Sequence, residues 1–509
     1  MEKRKKYFWL FLIVTLAAII RLSQFWTIIP DEGIWQTKII WYDEAYSIYY
    51  TQLPWQQVWE LSGFDTTPVL FYAILKIWSF FVGTNIIFLS ILPFLFSLAG
   101  VFAIYFLGLK IFNPQTGLLV GLFLAISPLN ISLATELRAY SFLVLLTILA
   151  LIFFWQVLKR GQWFDYLFFI ILNLLLIYTH YLGLVVLLTQ LVLLLYFKNK
   201  SWLKILGSYF VIGLLYLPQI FNFQRWDNLL GNNDQLVSYF ERVFSHGYFF
   251  SLWQFGHSLF FGHWGAHNLL FLFSGSLVLF FLFFIFYQNK QRQEVQVLFL
   301  FMVFGFIFLI LFKLFFALKY FIILTIPFIL LLGYFLAQLK NKKMLIANLL
   351  LGLALIFSCL NLPVSKIYAS QYYAPEFAGF ITSEEKAGDL ILTDHYTDIL
   401  LPFYYQGKSD LKMFYPWEGQ ETADWSARWR YFDYNIINKQ NVSLVSDFIK
   451  NHQRVWLINY LPQESSLQDP NGYLKKFLLE NFDLVLEKRF PQKIENIQQT
   501  ELLLFDLRK

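Results

Sequence analysis

The sequence predicts an α-helical polytopic membrane protein of about eleven spans and one interfacial helix, followed by a small C-terminal α/β domain. Three observations carry this expectation. Of the 509 residues, 58% are hydrophobic and only 14% charged, far from the balance of a soluble protein. Apolar runs long enough for a bilayer recur from the N-terminus to about Pro363. Beyond that point polar residues return at ordinary frequency, so the chain divides into a membrane body, 1–362, and a tail, 363–509.

A spanning helix needs roughly 17 to 25 mostly apolar residues. Segments 7–28, 86–108, 116–134, 139–158, 163–179, 181–198, 203–222, 267–287, 295–312, 318–338 and 344–362 meet this requirement. The first follows MEKRKK, the charged start of a signal peptide in appearance. It is longer than a signal core and has no small-residue cleavage site before Pro30, so it is read as a retained span. Segment 68–83 is shorter, with Lys76 in its middle and Trp78 among several aromatics, which suits a helix lying in the interface.

Positive charge supports that choice, because short cytoplasmic loops are enriched in Lys and Arg. With MEKRKK inside and 68–83 flat, Lys110, Lys159 with Arg160, Lys198, Lys200, Lys204, Lys290, Arg292, Lys340, Lys342 and Lys343 all face inward. A twelfth span would send the later clusters to the wrong side. The same topology puts Asp43, Glu44, Asp65, the Glu136–Arg138 turn, His180, loop 223–266, the turn from Lys313 to Lys319 and the whole tail outside. Polar residues at membrane depth thereby converge on one face, as a single active site requires.

The tail alternates apolar β-prone runs at Leu390–Leu392, Arg454–Tyr460, Leu484–Leu486 and Glu501–Leu507 with helical stretches near 374–386, 395–406, 443–451 and 471–481. The net charge of +6 is spread over topogenic loops, and no nucleic-acid partner is expected. The single cysteine, Cys359, excludes an intrachain disulfide or CxxC redox site. There is no P-loop and no GxGxxG, which argues against ATP hydrolysis or a bound dinucleotide. His246, His257, His263 and His267 match no zinc spacing.

Between the first two spans lies the stretch Trp41–Tyr72, which carries three carboxylates among aromatics. Asp43 and Glu44 are either solvated loop acids or a partly buried pair, ringed by Trp41, Tyr42, Tyr46, Tyr49 and Tyr50. In the second case one acts as general base toward a hydroxyl and the other supports it. Asp65 precedes Thr66, Thr67 and Pro68, where it either caps the following helix or serves as an orienting acid or metal ligand. Glu136 and Arg138 form a local ion pair, or Arg138 grips a phosphate with its planar fork. His180, in Tyr178-Thr179-His180-Tyr181, is an interfacial hydrogen-bonding residue or a ligand contact. Lys313 and Lys319 run against the positive-inside trend, which marks them for an anionic partner.

At these residues the chain resembles the bacterial membrane glycosyltransferases of the GT-C fold, the group of the family 39 protein O-mannosyltransferases, the aminoarabinose transferases and the rhizobial galacturonosyltransferases. The similarity runs from about residue 7 to 362. The family's D-E-A-x-S is matched by Asp43-Glu44-Ala45-Tyr46-Ser47, and its D-x-H-P-P-L-Y-Y in part by Asp65-Thr66-Thr67-Pro68-Val69-Leu70-Phe71-Tyr72. Thr67 stands for the histidine and Val69 for the second proline. E-A-R-M-Y-S looks like Glu136-Leu137-Arg138-Ala139-Tyr140-Ser141, Y-T-H-Y is intact at 178–181, and R-Y is matched by Lys319-Tyr320.

The resemblance implies transfer of a sugar from a polyprenyl phosphate donor to an acceptor outside the cytoplasmic membrane. Asp43 would be the general base, with Glu44 and Asp65 beside it. Glu136, Arg138, Tyr140, His180 and Lys319 would bind substrate, Arg138 and Lys319 at the lipid phosphate. A divalent metal ion is possible, with Asp65 and Glu136 as its ligands. The alternative class is a transporter or lipid flippase, against which stand the absence of a visible repeat and the placement of charge at one surface.

Overall fold

The computed structural model describes residues 3–28, 35–38, 40–63, 65, 67–197, 202–223, 253, 255, 269–311, 318–339, 374–394, 397–414, 437–461, 469–494 and 497–508. The chain divides into two compact units, Met1–Trp26 with Tyr50–Ser365, and Thr27–Tyr49 with Lys366–Lys509.

The first unit is helical, because an apolar chain in hydrocarbon must satisfy its backbone groups internally. Its helices are α1 (Lys3–Leu22), α2 (Tyr42–Gln52, which begins in the second unit), α3 (Trp55–Ser62), α4 (Val69–Val82), α5 (Ile86–Ile111), α6 (Pro114–Ile126), α7 (Pro128–Ser132), α8 (Tyr140–Lys159), α9 (Trp163–Thr179), α10 (Leu182–Phe197), α11 (Trp202–Asn222), α12 (Leu269–Asn289), α13 (Gln293–Leu311) and α14 (Ile322–Gln338). Among the described residues, Arg4–Phe25, Ile86–Ile111, Tyr140–Lys159, Trp202–Asn222, Gln293–Leu311 and Lys319–Gln338 are long and apolar enough to cross a bilayer. Each expected span from 7–28 to 318–338 overlaps a helix, and six of these ten hold one of that length and hydropathy. The last, 344–362, lies outside the described residues, as do Cys359, Lys313, the four histidines from His246 to His267 and nearly all of loop 223–266.

The expected span 116–134 is not one helix. Pro128 has no N–H to donate and forces the preceding residue out of the helical region, and Ser127 accordingly sits at φ −63°, ψ 116°. After α7 the chain runs irregularly until Tyr140. Ser141 Oγ, donating to the Leu133 carbonyl at 2.9 Å, closes that segment, and Asn130 Nδ2 ties it to Thr325 Oγ1 of α14 at 3.4 Å.

Two features fix the helices around this break. A Cβ on Gly117 would lie 2.8 Å from the Tyr105 carbonyl oxygen, and one on Gly108 would lie 3.0 Å from the Gly117 Cα. The glycines therefore let α5 and α6 meet backbone to backbone. Arg21 of α1 is fully buried, and its guanidinium donates to Ser97 Oγ of α5 at 2.7 Å. It also donates to the Leu124 and Ala125 carbonyls in the last turn of α6, at 3.0 and 2.7 Å.

In the second unit, β1 (Trp26–Ile28), whose first residue belongs to the helical unit, pairs with β2 (Trp35–Thr37) in a short ribbon. The tail is a mixed sheet of β3 (Leu390–Thr393), β4 (Asp410–Met413), β5 (Arg454–Leu461), β6 (Asp483–Ile494) and β7 (Ile497–Asp506), in the order β4-β3-β5-β7-β6. The β3 strand is parallel to both β4 and β5, and β7 is antiparallel to β5 and β6. Its helices are α15 (Ala374–Glu384), α16 (Thr397–Leu400), α17 (Val445–Ile449) and α18 (Tyr473–Asn481). Alternate strand residues Leu390, Leu392, Val455, Leu457, Leu503 and Phe505 form one core with Val445, Ile449, Leu474 and Leu478.

The first three expected tail strands lie inside β3, β5 and β6, and the fourth, 501–507, overlaps β7 as far as Asp506. Strand β4 was not expected: its sequence, Asp-Leu-Lys-Met, is short and charged, as suits the edge position it takes. The expected helix 395–406 shrinks to α16 and a 3-10 turn, Leu401–Phe403, that contains Pro402.

Glu385 anchors the turn into β4. Tyr405 Oη and Ser409 Oγ donate to its Oε2, the latter at 2.6 Å, and the Lys408 amide donates to Oε1 at 2.8 Å. Burial pushes this carboxyl up, but the bonds from Ser409, Tyr405 and the backbone outweigh it and hold the pKa below the ordinary value. The stabilisation is therefore complete above the unfolded pKa of about 4.3 and is lost as pH falls through the lower folded value. In the full-length protein, hydrogen exchange of the 408–413 amides should be slower in wild type than in Glu385→Gln above the ordinary carboxylate range, and the two should converge as pH falls below it. A difference that persists at low pH would contradict the assignment.

Candidate functional site

Asp43 and Glu44 occupy the first turn of α2, where the helix N-terminus favours negative charge. Glu44 is buried and ion-paired to Lys38 Nζ. The Asp43 backbone carbonyl accepts from Ser47 Oγ at 3.0 Å. The segment leading into this turn is clamped by the tail: Tyr404 Oη accepts from the Ile40 amide at 2.6 Å and donates to the Ile40 carbonyl at 2.8 Å. Burial raises the Tyr404 phenol pKa, the Ile40 bond opposes and Glu44 adds to the rise, so the hydroxyl stays protonated and able to donate.

The other end of α2, in the helical unit, is held by Lys76 of α4. Its Nζ donates to the Thr51 and Leu53 carbonyls at 2.9 and 2.6 Å. A cation on the last carbonyls of a helix satisfies groups that have no partner within the helix. The lysine that looked like an interfacial residue is thus 6% exposed and serves as a cap.

Asp65 lies three residues before Pro68, which stands at the N-cap position of α4, and no side-chain cap bond is seen there among the described residues. Instead Asp65 Oδ2 accepts from Tyr72 Oη, one turn into that helix, and its Oδ1 lies 4.0 Å from Arg138 Nη2. Arg138 reaches this pair from the irregular segment before α8, donating from Nη1 to Tyr72 Oη at 2.7 Å and from Nη2 to Thr67 Oγ1 at 3.3 Å. Tyr50 stacks flat on Tyr72, with ring centroids 3.9 Å apart at 10°. The phenol is thereby fixed between a cation that donates to it and a carboxylate that accepts from it.

Next to this network is a second group. His180, at the break between α9 and α10, faces Tyr140 at 5.4 Å and Tyr320 at 5.9 Å between ring centroids. Lys319 Nζ lies 5.3 Å from the centre of the Tyr140 ring, a cation–π distance. Lys319, Tyr320, Arg138 and Glu136 all act electrostatically on Tyr140. The helical unit thus gathers Asp65, Glu136, Arg138, Tyr140, His180 and Lys319, drawn from the stretch before α4, the segment leading into α8 and its first residue, the α9–α10 break and the 3-10 turn Leu318–Phe321. Asp43 and Glu44 belong to the other unit.

Sequence reasoning gave no role to Tyr72, Tyr50 or Tyr404. Tyr72 ends the Asp65-x-x-Pro-x-Leu-Phe-Tyr run, and its place in that run was the available signal. Tyr404 had none. For a metal, the fit is poor. Among the described residues no three His, Cys, Asp or Glu side chains converge on a point that could hold an ion. Asp65 already has one oxygen bonded by Tyr72 and the other facing Arg138.

Replacing Tyr404 with Phe removes both bonds to Ile40. Exchange of the Ile40 amide should accelerate by about tenfold, the worth of a typical net hydrogen bond, while protection of β3 and β5 is unchanged. Unaltered exchange at Ile40 would show that the clamp does not hold the loop.

Residues 65–226 match the family model described as dolichyl-phosphate-mannose-protein mannosyltransferase. No curated protein matches the sequence. Among solved structures the chain is similar to ArnT from Cupriavidus metallidurans in the apo state, at 10% identity and a TM-score of 0.60 over 97% of each chain. It is also similar to the same protein bound to undecaprenyl phosphate, at 13% identity and a TM-score of 0.56, over 97% of this chain and 98% of that one. The Archaeoglobus fulgidus oligosaccharyltransferase in the apo form aligns at 14% identity and a TM-score of 0.51, over 91% of this chain and 71% of that one. At such identities the likeness establishes architecture: the chain has the GT-C fold of membrane glycosyltransferases.

Proposed function

We propose that the chain is a membrane glycosyltransferase that moves a sugar from a polyprenyl phosphate donor to an acceptor hydroxyl at the outer face of the cytoplasmic membrane. The observation that carries this reading is the buried cluster in which Arg138 joins Asp65 and Tyr72 on one side and acts on His180 and Tyr140 on the other. All five residues lie within the stretch that matches the mannosyltransferase model. Cations at membrane depth are costly unless they meet an anion, and a lipid-borne phosphate is an anion delivered at that depth. The similar ArnT structure with bound undecaprenyl phosphate supports the same ligand class.

In the proposed reaction the Asp43 carboxylate takes the proton of the acceptor hydroxyl, whose oxygen attacks the anomeric carbon from the face opposite the phosphate. The bond from that carbon to the phosphate oxygen breaks, its electron pair stays on phosphate, and the sugar configuration inverts. Charge develops on the departing lipid phosphate, where Arg138 and Lys319 stabilise it. Glu44, engaged by Lys38, supports Asp43, while Asp65, Glu136 and Tyr140 orient the substrates. Sugars carried by the donor remain those of a hexose or pentose class. The acceptor is a lipid glycan, a cell-surface polymer or a protein hydroxyl.

The test is transfer by the purified protein from a panel of radiolabelled polyprenyl phosphate sugars, with and without chelator. Wild type should consume one donor. Asp43→Asn and Arg138→Ala should each lose at least about a hundredfold in turnover, within the range of a lost general base or charge stabiliser, while remaining monodisperse. Full activity in either variant would remove that residue from the mechanism.

A further inference from the structure

His180 closes α9 with extended backbone, φ −159° and ψ 142°, so the chain leaves the helix where the imidazole is presented. Its Nδ1 accepts from the Leu182 amide at 3.0 Å. A ring nitrogen that accepts carries no proton, so the neutral ring holds its proton on Nε2. That nitrogen is buried and has no hydrogen-bond partner among the described residues, in a side chain 4% exposed. A buried donor with nothing to donate to is expensive, and in native proteins it calls for a bound group.

The surroundings define which group. Tyr140 and Tyr320 wall the ring, the Arg138 and Lys319 cations act on it, and Glu136 acts on the adjoining Tyr140. Burial first, then the Arg138 and Lys319 cations, push the imidazole down to about 3. Both effects favour the uncharged ring, in agreement with the acceptor role of its Nδ1. What remains is a fixed N–H in a setting that two cations make attractive to oxyanions.

We propose that His180 is an uncharged phosphate-binding donor, its Nε2–H directed at a non-bridging oxygen of the lipid phosphate that Arg138 and Lys319 attract. This inference rests on the lipid-phosphate reading given above. It assigns the histidine a tautomer, a charge state and a ligand atom. It also separates the residue from a titrating histidine, which would bind the anion more tightly as pH falls through about 6.5.

Binding of undecaprenyl phosphate to the full-length protein in detergent tests this, with inorganic phosphate as competitor, for wild type, His180→Ala, His180→Gln and Arg138→Ala between about pH 5.5 and 8. His180→Ala should weaken binding by about ten- to a hundredfold, as expected for a lost hydrogen bond to a charged group. His180→Gln, which keeps an amide N–H donor, should recover most of that loss, and its affinity relative to wild type should not change with pH. Inorganic phosphate should compete for the wild-type site if the headgroup alone makes the contact. Competition that survives His180→Ala unchanged would place the headgroup elsewhere.

Wild-type affinity in His180→Ala would overturn the proposal, as would a rise near pH 6.5 seen in wild type and absent from His180→Gln. Loss of binding in Arg138→Ala together with full binding in His180→Ala would leave the lipid-phosphate reading standing and remove this inference alone. Absence of binding by wild type would remove both. Should His180→Ala fail to fold, the pH comparison between wild type and His180→Gln decides.

Discussion

A backbone carbonyl at the end of a helix has no partner within that helix, and in an apolar body there is no water to supply one. At four helix ends or breaks in the first unit a side chain does that work. Arg21 takes the last carbonyls of α6 and Lys76 those of α2. Ser141 takes the Leu133 carbonyl beyond α7, and the His180 ring accepts the Leu182 amide at the start of α10. Two of these four, Arg21 and Lys76, are buried cations that have no carboxylate partner among the described residues. Their charge meets the negative ends of helices, which lowers the cost of holding it away from water.

The candidate site is a by-product of the same requirement. Helices that ran unbroken would present only their sides, and the polar groups of the chain would stay in ladders. The interruption forced by Pro128 opens the stretch from which Arg138 reaches Tyr72 and Thr67, and the break at His180 exposes an imidazole to Tyr140 and Tyr320. Rigid elements on each side then hold these side chains: Tyr50 stacks on Tyr72, and Asn130 ties the broken segment to α14. Preorganised charge of this kind works because it needs no rearrangement when a ligand arrives.

Periodicity and charge made the helical body legible, along with four of the five tail strands, because long apolar runs have few alternatives in hydrocarbon. Most of the candidate site residues were legible too, since carboxylates, an arginine and a histidine at membrane depth stand out. Their partnerships were not. Asp65 offers a helix cap by local sequence, yet a tyrosine seven residues on and an arginine in another segment claim both oxygens. Ile40 and Tyr404 are 364 positions apart, and no local pattern connects them. The span 116–134 shows a different shortfall, since its overall hydrophobicity concealed what a single proline does to backbone geometry.

The arrangement around Arg21 also bears on the order in which the body is assembled. The arginine emerges in the first helix, but Ser97 follows it by 76 residues and the Leu124 and Ala125 carbonyls by more than 100. During synthesis α1 therefore carries a cation whose distant acceptors do not yet exist, and Ala17 of its own helix is the nearby carbonyl it can reach. Only when α6 has been made and has closed onto α5 through Gly108 and Gly117 does that charge acquire its seat. Within this unit α1 is thus locked only against a formed α5–α6 pair, and a fault in that pair would leave its guanidinium unseated.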